Sequence, residues 1–143
     1  MIIEDDPDDV FLFTCALERA QLSLNREVQW EHVDNGLDAI LLVSQQDMME
    51  KLPDVLVLDL NMPRLDGIKF LRSLRNSLVL KDLPVFVLTT SAAAAIHEEA
   101  MQAGADKVFV KPNNTKALLE IALEILARST SGSTWSEAED RNH

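Results

Sequence analysis

Val55-Leu56-Val57-Leu58-Asp59-Leu60-Asn61-Met62-Pro63-Arg64-Leu65-Asp66-Gly67 is an apolar run that drives into a carboxylate and then breaks up. Asn, Pro, Asp and Gly are turn residues, so the stretch reads as a strand that ends on Asp59. In open α/β sheets, ligands bind in the crevice beyond the carboxyl ends of the strands. An acid in that place is either set for chemistry or caps the following turn, and the fragment alone leaves both open.

The same shape recurs on either side. Residues 1–3 are apolar and lead into Glu4-Asp5-Asp6-Pro7-Asp8-Asp9, after which Val10, Phe13, Thr14 and Leu17 recur at i, i+3, i+4 and i+7. This is a short strand, an acidic turn and a helix. Asp6 suits the helix cap, Pro7 the first helical position, and Asp8 and Asp9 the positive end of the helix dipole. Capping does not account for Glu4 and Asp5, which fall at the strand's carboxyl end. Because so little strand precedes those acids, a slightly longer native start is expected.

Residues 28–33, with Trp30, read as an edge strand in which His32 is structural rather than a ligand. Asp34-Asn35-Gly36 then turns into a helix carrying Leu37, Ile40, Leu41 and Ser44. A further helix is expected over about 65–76, with Ile68, Leu71 and Leu74 on its buried side. Pro84 opens an apolar strand, 85–88, that ends on Thr89-Thr90-Ser91. Residues 92–103 are rich in alanine, the best helix former, and Gly104 stops them. The last strand, 107–110, ends on Lys111-Pro112, and Asn113 or Asn114 caps a final helix. There Leu118, Leu119, Ile121, Ala122, Leu123, Ile125 and Leu126 cover roughly 200° of the helical wheel. That is wider than one buried stripe, so part of this face is expected to meet a second subunit or a partner. Residues 129–143 lack apolar periodicity and are expected to form a mobile tail.

Strand and helix alternate five times with short apolar strands, which implies α/β architecture: a doubly wound, five-stranded parallel sheet with helices on both faces. With 143 residues the chain suits one domain, expected over 1–128. No apolar run approaches the roughly 20 residues of a membrane helix, and no basic stretch leads an apolar one, so a cytoplasmic protein is expected. Cys15 is the only cysteine, which rules out an intrachain disulfide and fits a reducing compartment. The net charge of −11, from 13 basic against 24 acidic residues, argues against direct nucleic-acid binding. A basic protein surface, a cation or both are the expected counterparts.

Parallel strands put their carboxyl ends on one rim, which gathers Glu4, Asp5, Asp59, Thr89 and Lys111. Carboxylates about 5 Å apart repel by roughly 3 kcal/mol per pair at an effective dielectric of about 20, so they bind a cation or raise one another's pKa. Only hard oxygen ligands are on offer, which favours Mg²⁺ or Mn²⁺ over zinc. A phosphoryl group entering such a rim finds charge neutralisation from the metal and Lys111, a hydroxyl from Thr89, and a nucleophile in Asp59.

These residues resemble the receiver domain of the response regulators of two-component signalling. The matching pieces are Ile3-Glu4-Asp5-Asp6-Pro7, Leu58-Asp59-Leu60-Asn61-Met62-Pro63 with Asp66-Gly67, Val87-Leu88-Thr89, and Gly104-Ala105-Asp106 leading to Lys111-Pro112. The start of the chain, its Leu-Thr-Thr-Ser segment and the lack of an output segment are most similar to stand-alone receivers associated with phytochrome-type histidine kinases. The resemblance implies a flavodoxin-like strand order 2-1-3-4-5. It also implies that Asp59 accepts the phosphoryl group, with Asp5 and the Asn61 carbonyl as Mg²⁺ ligands and Glu4 acting on the metal through water. Thr89 then moves toward the phosphoryl group, Lys111 pairs with it beside a cis Lys111–Pro112 bond, and Asn61 and Ser91 flank the acyl phosphate. In the family, Tyr or Phe usually stands three residues before the lysine. Here the residue is Val108, the chain has no tyrosine, and Thr90 occupies a position more often small.

The function expected is therefore a phosphoacceptor that catalyses only its own phosphorylation and dephosphorylation and acts through protein contacts, without DNA or membrane binding. A relay intermediate or phosphate sink that passes the group to a histidine phosphotransfer partner fits equally. A haloacid-dehalogenase-type phosphatase needs a second Asp where Asn61 stands, and a flavodoxin-like FMN carrier would have its phosphate repelled by Glu4, Asp5 and Asp6.

Overall fold

The computed structural model describes residues 1–60, 62, 67–77 and 80–131. Along the chain come β1 (Ile2–Ile3), α1 (Pro7–Leu24), β2 (His32–Val33), α2 (Gly36–Met48), β3 (Leu56–Asp59) and α3 (Gly67–Arg75). They are followed by β4 (Val85–Thr89), α4 (Ala94–Ala103), β5 (Lys107–Val110) and α5 (Thr115–Ser131). All strand pairs are parallel and the order is β2-β1-β3-β4-β5, the doubly wound flavodoxin-like sheet.

Side chains alternate across a strand, so each strand feeds two cores. Ile3, Leu58 and Val87 are buried with α2, α3 and α4 residues such as Val43, Leu71 and Ala100. Ile2, Val57 and Phe86 are buried on the other face with Phe13 and Leu17 of α1 and Ile125 of α5. Full burial of each such aliphatic side chain contributes about 1.5–3 kcal/mol, which fixes strand register and hence the height at which each strand ends.

Local signals set the helix ends. Asp6 accepts a hydrogen bond from the Asp8 N–H at 2.9 Å with Pro7 next to it, and Asn35 caps α2 through the Asp38 N–H at 2.8 Å. Of the two asparagines before α5, Asn114 takes the capping role, accepting from the Ala117 N–H at 2.7 Å.

The structure departs from the sequence reading in five places. The edge strand is two residues long, because the Val28 N–H is taken at 2.7 Å by the Gln21 side chain and turns toward α1. On α2, Leu37 and Leu41 are 68% and 54% exposed, and Ile40 also faces outward. Gly36, Ala39 and Val43 form the buried stripe instead, since small side chains let the helix lie close to the sheet. The alanine-rich helix starts at Ala94, two residues late, because the Ser91 side chain caps the Ala93 N–H in the preceding turn. α5 runs on to Ser131, taking in the first residues of the segment read as a tail, and 132–143 lie outside the described residues. The Lys111–Pro112 bond is trans, with the Lys111 N–H continuing the ladder onto Thr89 O at 2.8 Å.

Candidate functional site

Glu4 follows β1 directly. Its N–H bonds Val33 O at 3.0 Å and its carbonyl accepts from His32 Nε2 at 2.8 Å, so His32 braces the main chain of the site, as a structural residue should. Asp59 is the last residue of β3 and only 5% exposed, and Thr89, the last of β4, is fully buried. Lys111 comes one residue past β5. The sheet thus brings Glu4, Asp5, Asp59, Thr89 and Lys111 to one rim, while Asn61 and Asp66, which the family resemblance added, lie outside the described residues.

Glu4, Asp5 and Asp59 each bring a carboxylate oxygen to within 4.8 Å of the others. Lys111 Nζ stands 2.8 Å from Glu4 Oε1, 2.9 Å from Asp9 Oδ2 and 3.5 Å from Asp59 Oδ1. A cavity of about 50 Å³ adjoins this cluster, between Asp9 and Leu12 of α1 and Pro112. Burial pushes the Glu4 carboxyl up to about 7; the Lys111 hydrogen bond opposes the rise, and neighbouring Asp59 adds to it. Burial draws the Lys111 ammonium down, but its bonds to Glu4 and Asp9 and the charge of Asp59 outweigh this and hold it above its ordinary range.

Asp9 is the site residue that sequence reasoning missed. The helix dipole accounted for it, yet it stands at i−4 from Phe13 and i−8 from Leu17, on the buried stripe of α1. That spacing was the available signal.

Ser91 links the Thr89 hydroxyl to α4. Its N–H donates to Thr89 Oγ1 at 3.1 Å, its side chain accepts from the Ala93 N–H at 3.1 Å, and its carbonyl accepts from His97 Nε2 at 2.7 Å. Val108 is half-buried against the core under α3 and α4. Phe109 turns to the opposite face, where it meets Phe86 at 6.3 Å between ring centroids. Strand alternation thus puts the Phe109 ring on the face opposite Val108, so it does not replace the aromatic residue that the family usually has at the Val108 position. Thr90 is exposed.

One ammonium cannot balance the carboxylates gathered here, and the donor set of Glu4, Asp5 and Asp59 is all hard oxygen. That is the chemistry that fits Mg²⁺ or Mn²⁺.

The chain matches the family model for the response regulator receiver domain over residues 1–123. It belongs to the response regulator receiver family. Over 99 residues this receiver is 35% identical to the response regulator MprA of Mycobacterium leprae, a match covering 69% of this chain and 40% of MprA. The chain therefore spans less than half the length of that relative. The phosphorylated cyanobacterial phytochrome response regulator RcpA superposes with a TM-score of 0.77 at 28% identity, over 93% of this chain and 94% of that one. The Mn²⁺-bound form of the response regulator Rcp1 gives a TM-score of 0.66 at 27% identity, covering 87% and 88%. Receiver domains are signalling phosphoacceptors that bind Mg²⁺ at an acidic pocket, and Glu4, Asp5 and Asp59 form an acidic cluster at the end of this sheet. Among the described residues, no helix is long and apolar enough to cross a membrane.

Proposed function

We propose that Asp59 accepts a phosphoryl group from a sensor histidine kinase and that the phosphorylated receiver signals in the cytoplasm through protein contacts. The observation that carries this reading is the setting of Asp59: a buried carboxylate at a strand end, clustered with Glu4 and Asp5 and 3.5 Å from the Lys111 ammonium. An Asp59 oxygen attacks phosphorus, and the bond from phosphorus to the donor's imidazole nitrogen or acetate oxygen breaks, its electron pair leaving with the donor. Lys111 neutralises charge on the transferred oxygens, and the Thr89 hydroxyl donates to one of them. Water attacking the same phosphorus later releases phosphate and restores Asp59, with Asn61 and Ser91 flanking the bond that breaks. Mg²⁺, held by Glu4, Asp5, Asp59 and the Asn61 carbonyl, would supply the remaining positive charge.

The likeness to the phytochrome regulator RcpA supports a phytochrome-type kinase as donor. A homodimer through α5 completes the proposal, supported by Leu118, Leu119, Ile121 and Leu123, which remain only partly buried in the monomer. Sedimentation with and without a phosphate mimic tests it, and a monomer in both conditions would refute it.

Treatment with acetyl phosphate and Mg²⁺ tests the central reading. Mass spectrometry should show one acid-labile phosphate on the wild type and none on Asp59→Asn. Absence of label from the wild type, or its persistence on the variant, would refute the reading.

A further inference from the structure

Lysine is a flexible four-carbon stem ending in three rotatable donors, so an ammonium that must meet an incoming phosphoryl group needs something to aim it. In this chain two of the three donors are committed by short contacts, to Glu4 at 2.8 Å and Asp9 at 2.9 Å, and the longer 3.5 Å contact goes to Asp59. The two anchors differ. Glu4 belongs to the acid trio whose oxygens gather within 4.8 Å, so a cation bound there competes with Lys111 for it. Asp9 is outside that trio, and it is carried on the first turn of α1, an element fixed by the Asp6 cap and by burial of Phe13 and Leu17.

We infer that Asp9 is a positioning residue for phosphoryl transfer: it holds the Lys111 ammonium through a carboxylate that is not part of the acid trio and aims its third donor at Asp59. The inference rests on the phosphoacceptor reading. The ion pair of Asp9 is with Lys111, so its effect on transfer passes through that ammonium. Asparagine in its place keeps the shape but loses the charge that makes the contact short and strong. Glutamate keeps the charge on a stem one methylene longer.

The experiment follows the rate of Asp59 labelling against acetyl phosphate concentration at saturating Mg²⁺, for the wild type, Asp9→Asn, Asp9→Glu, Lys111→Met and the Lys111→Met/Asp9→Asn double variant. Thermal melts of each accompany the rates. The maximal rate of Asp9→Asn should fall by about tenfold, the scale of one charge-assisted hydrogen bond, with the half-saturating concentration little changed. Asp9→Glu should recover most of the loss. In the Lys111→Met background, Asp9→Asn should cost nothing further, because the group it aims is gone. An undiminished rate in Asp9→Asn, or an equal loss with and without Lys111, would overturn the inference. Should Asp9→Asn melt below the assay temperature, the Asp9→Glu rate and the double variant decide by the same criteria. A wild type that takes no label would instead refute the phosphoacceptor reading itself, so the two failures are distinct.

Discussion

Lys111 Nζ lies 2.8 Å from Glu4 Oε1, and the two side chains keep only 15% and 8% of their surface in water. Removing one member of a buried pair strands the other's charge, at a cost of about 3–5 kcal/mol. Lys111→Met should therefore lose about that much stability in metal-free buffer, since Glu4, Asp9 and Asp59 all lose the same cation. A divalent ion restores positive charge to the same carboxylates, so millimolar Mg²⁺ should raise the urea midpoint of the variant more than that of the wild type. Equal shifts would mean that lysine and metal do not share ligands.

Glu4 makes the metal-free protein pH-sensitive. Its carboxyl is raised from 4.5 to about 7, chiefly by burial. Between those values the folded chain keeps a proton that the unfolded chain has released, so this group's contribution is full below the lower value and is lost as pH rises through the upper one. The loss amounts to roughly 3 kcal/mol at most. Urea unfolding in a chelator should show the wild type losing stability from about pH 5 to pH 7 relative to Glu4→Gln. Parallel profiles would contradict the burial argument.

The rim of this receiver was legible because parallel topology leaves little choice. Once residues 55–58 are a strand, Asp59 must stand where Glu4, Thr89 and Lys111 also end. The readings that failed are those where two local patterns compete. On α2, the stripe of Leu37, Ile40 and Leu41 interleaves with Gly36, Ala39 and Val43, and hydrophobicity favours the first while close packing on the sheet selects the second. Asp9 satisfied the helix dipole and so concealed its partner 102 residues away. The reach of Arg75 across 29 residues to Gly104 likewise left no local trace.

Arg75 is a structural brace. From the end of α3 its guanidinium donates to Gly104 O at 2.8 and 3.0 Å, to Leu83 O at 2.6 Å and to Lys81 O at 3.0 Å, and it pairs with Asp106 at 3.1 Å. Asp106 in turn accepts from the Val85 N–H at 2.8 Å, so one residue ties α3 to the starts of β4 and β5. Gly104 completes the contact: its φ is 121°, and a Cβ there would stand 2.5 Å from Arg75 Cγ. Arg75→Ala should cost about 3 kcal/mol in urea unfolding, and Arg75→Lys should recover little, because an ammonium cannot reproduce the planar fork. Full recovery by lysine would reduce the brace to its charge.

His97 holds the turn between β4 and α4 from the helix side. Ala93, at the start of α4, offers no side-chain cap, and Ser91 and His97 take its place. A carbonyl can only accept, so the 2.7 Å contact with Ser91 O requires His97 Nε2 to carry the hydrogen. His97→Leu removes that donor while keeping an apolar side chain of similar reach, and leaves the Ser91 carbonyl to solvent. The expected cost is about 1 kcal/mol. The loss should be local, with faster hydrogen exchange at the amides of 91–97 and little change in β1 or β3. His97→Gln, which retains an N–H donor, should recover part of the protection. Exchange unchanged by either substitution would show that Ser91 alone fixes the turn that carries Thr89.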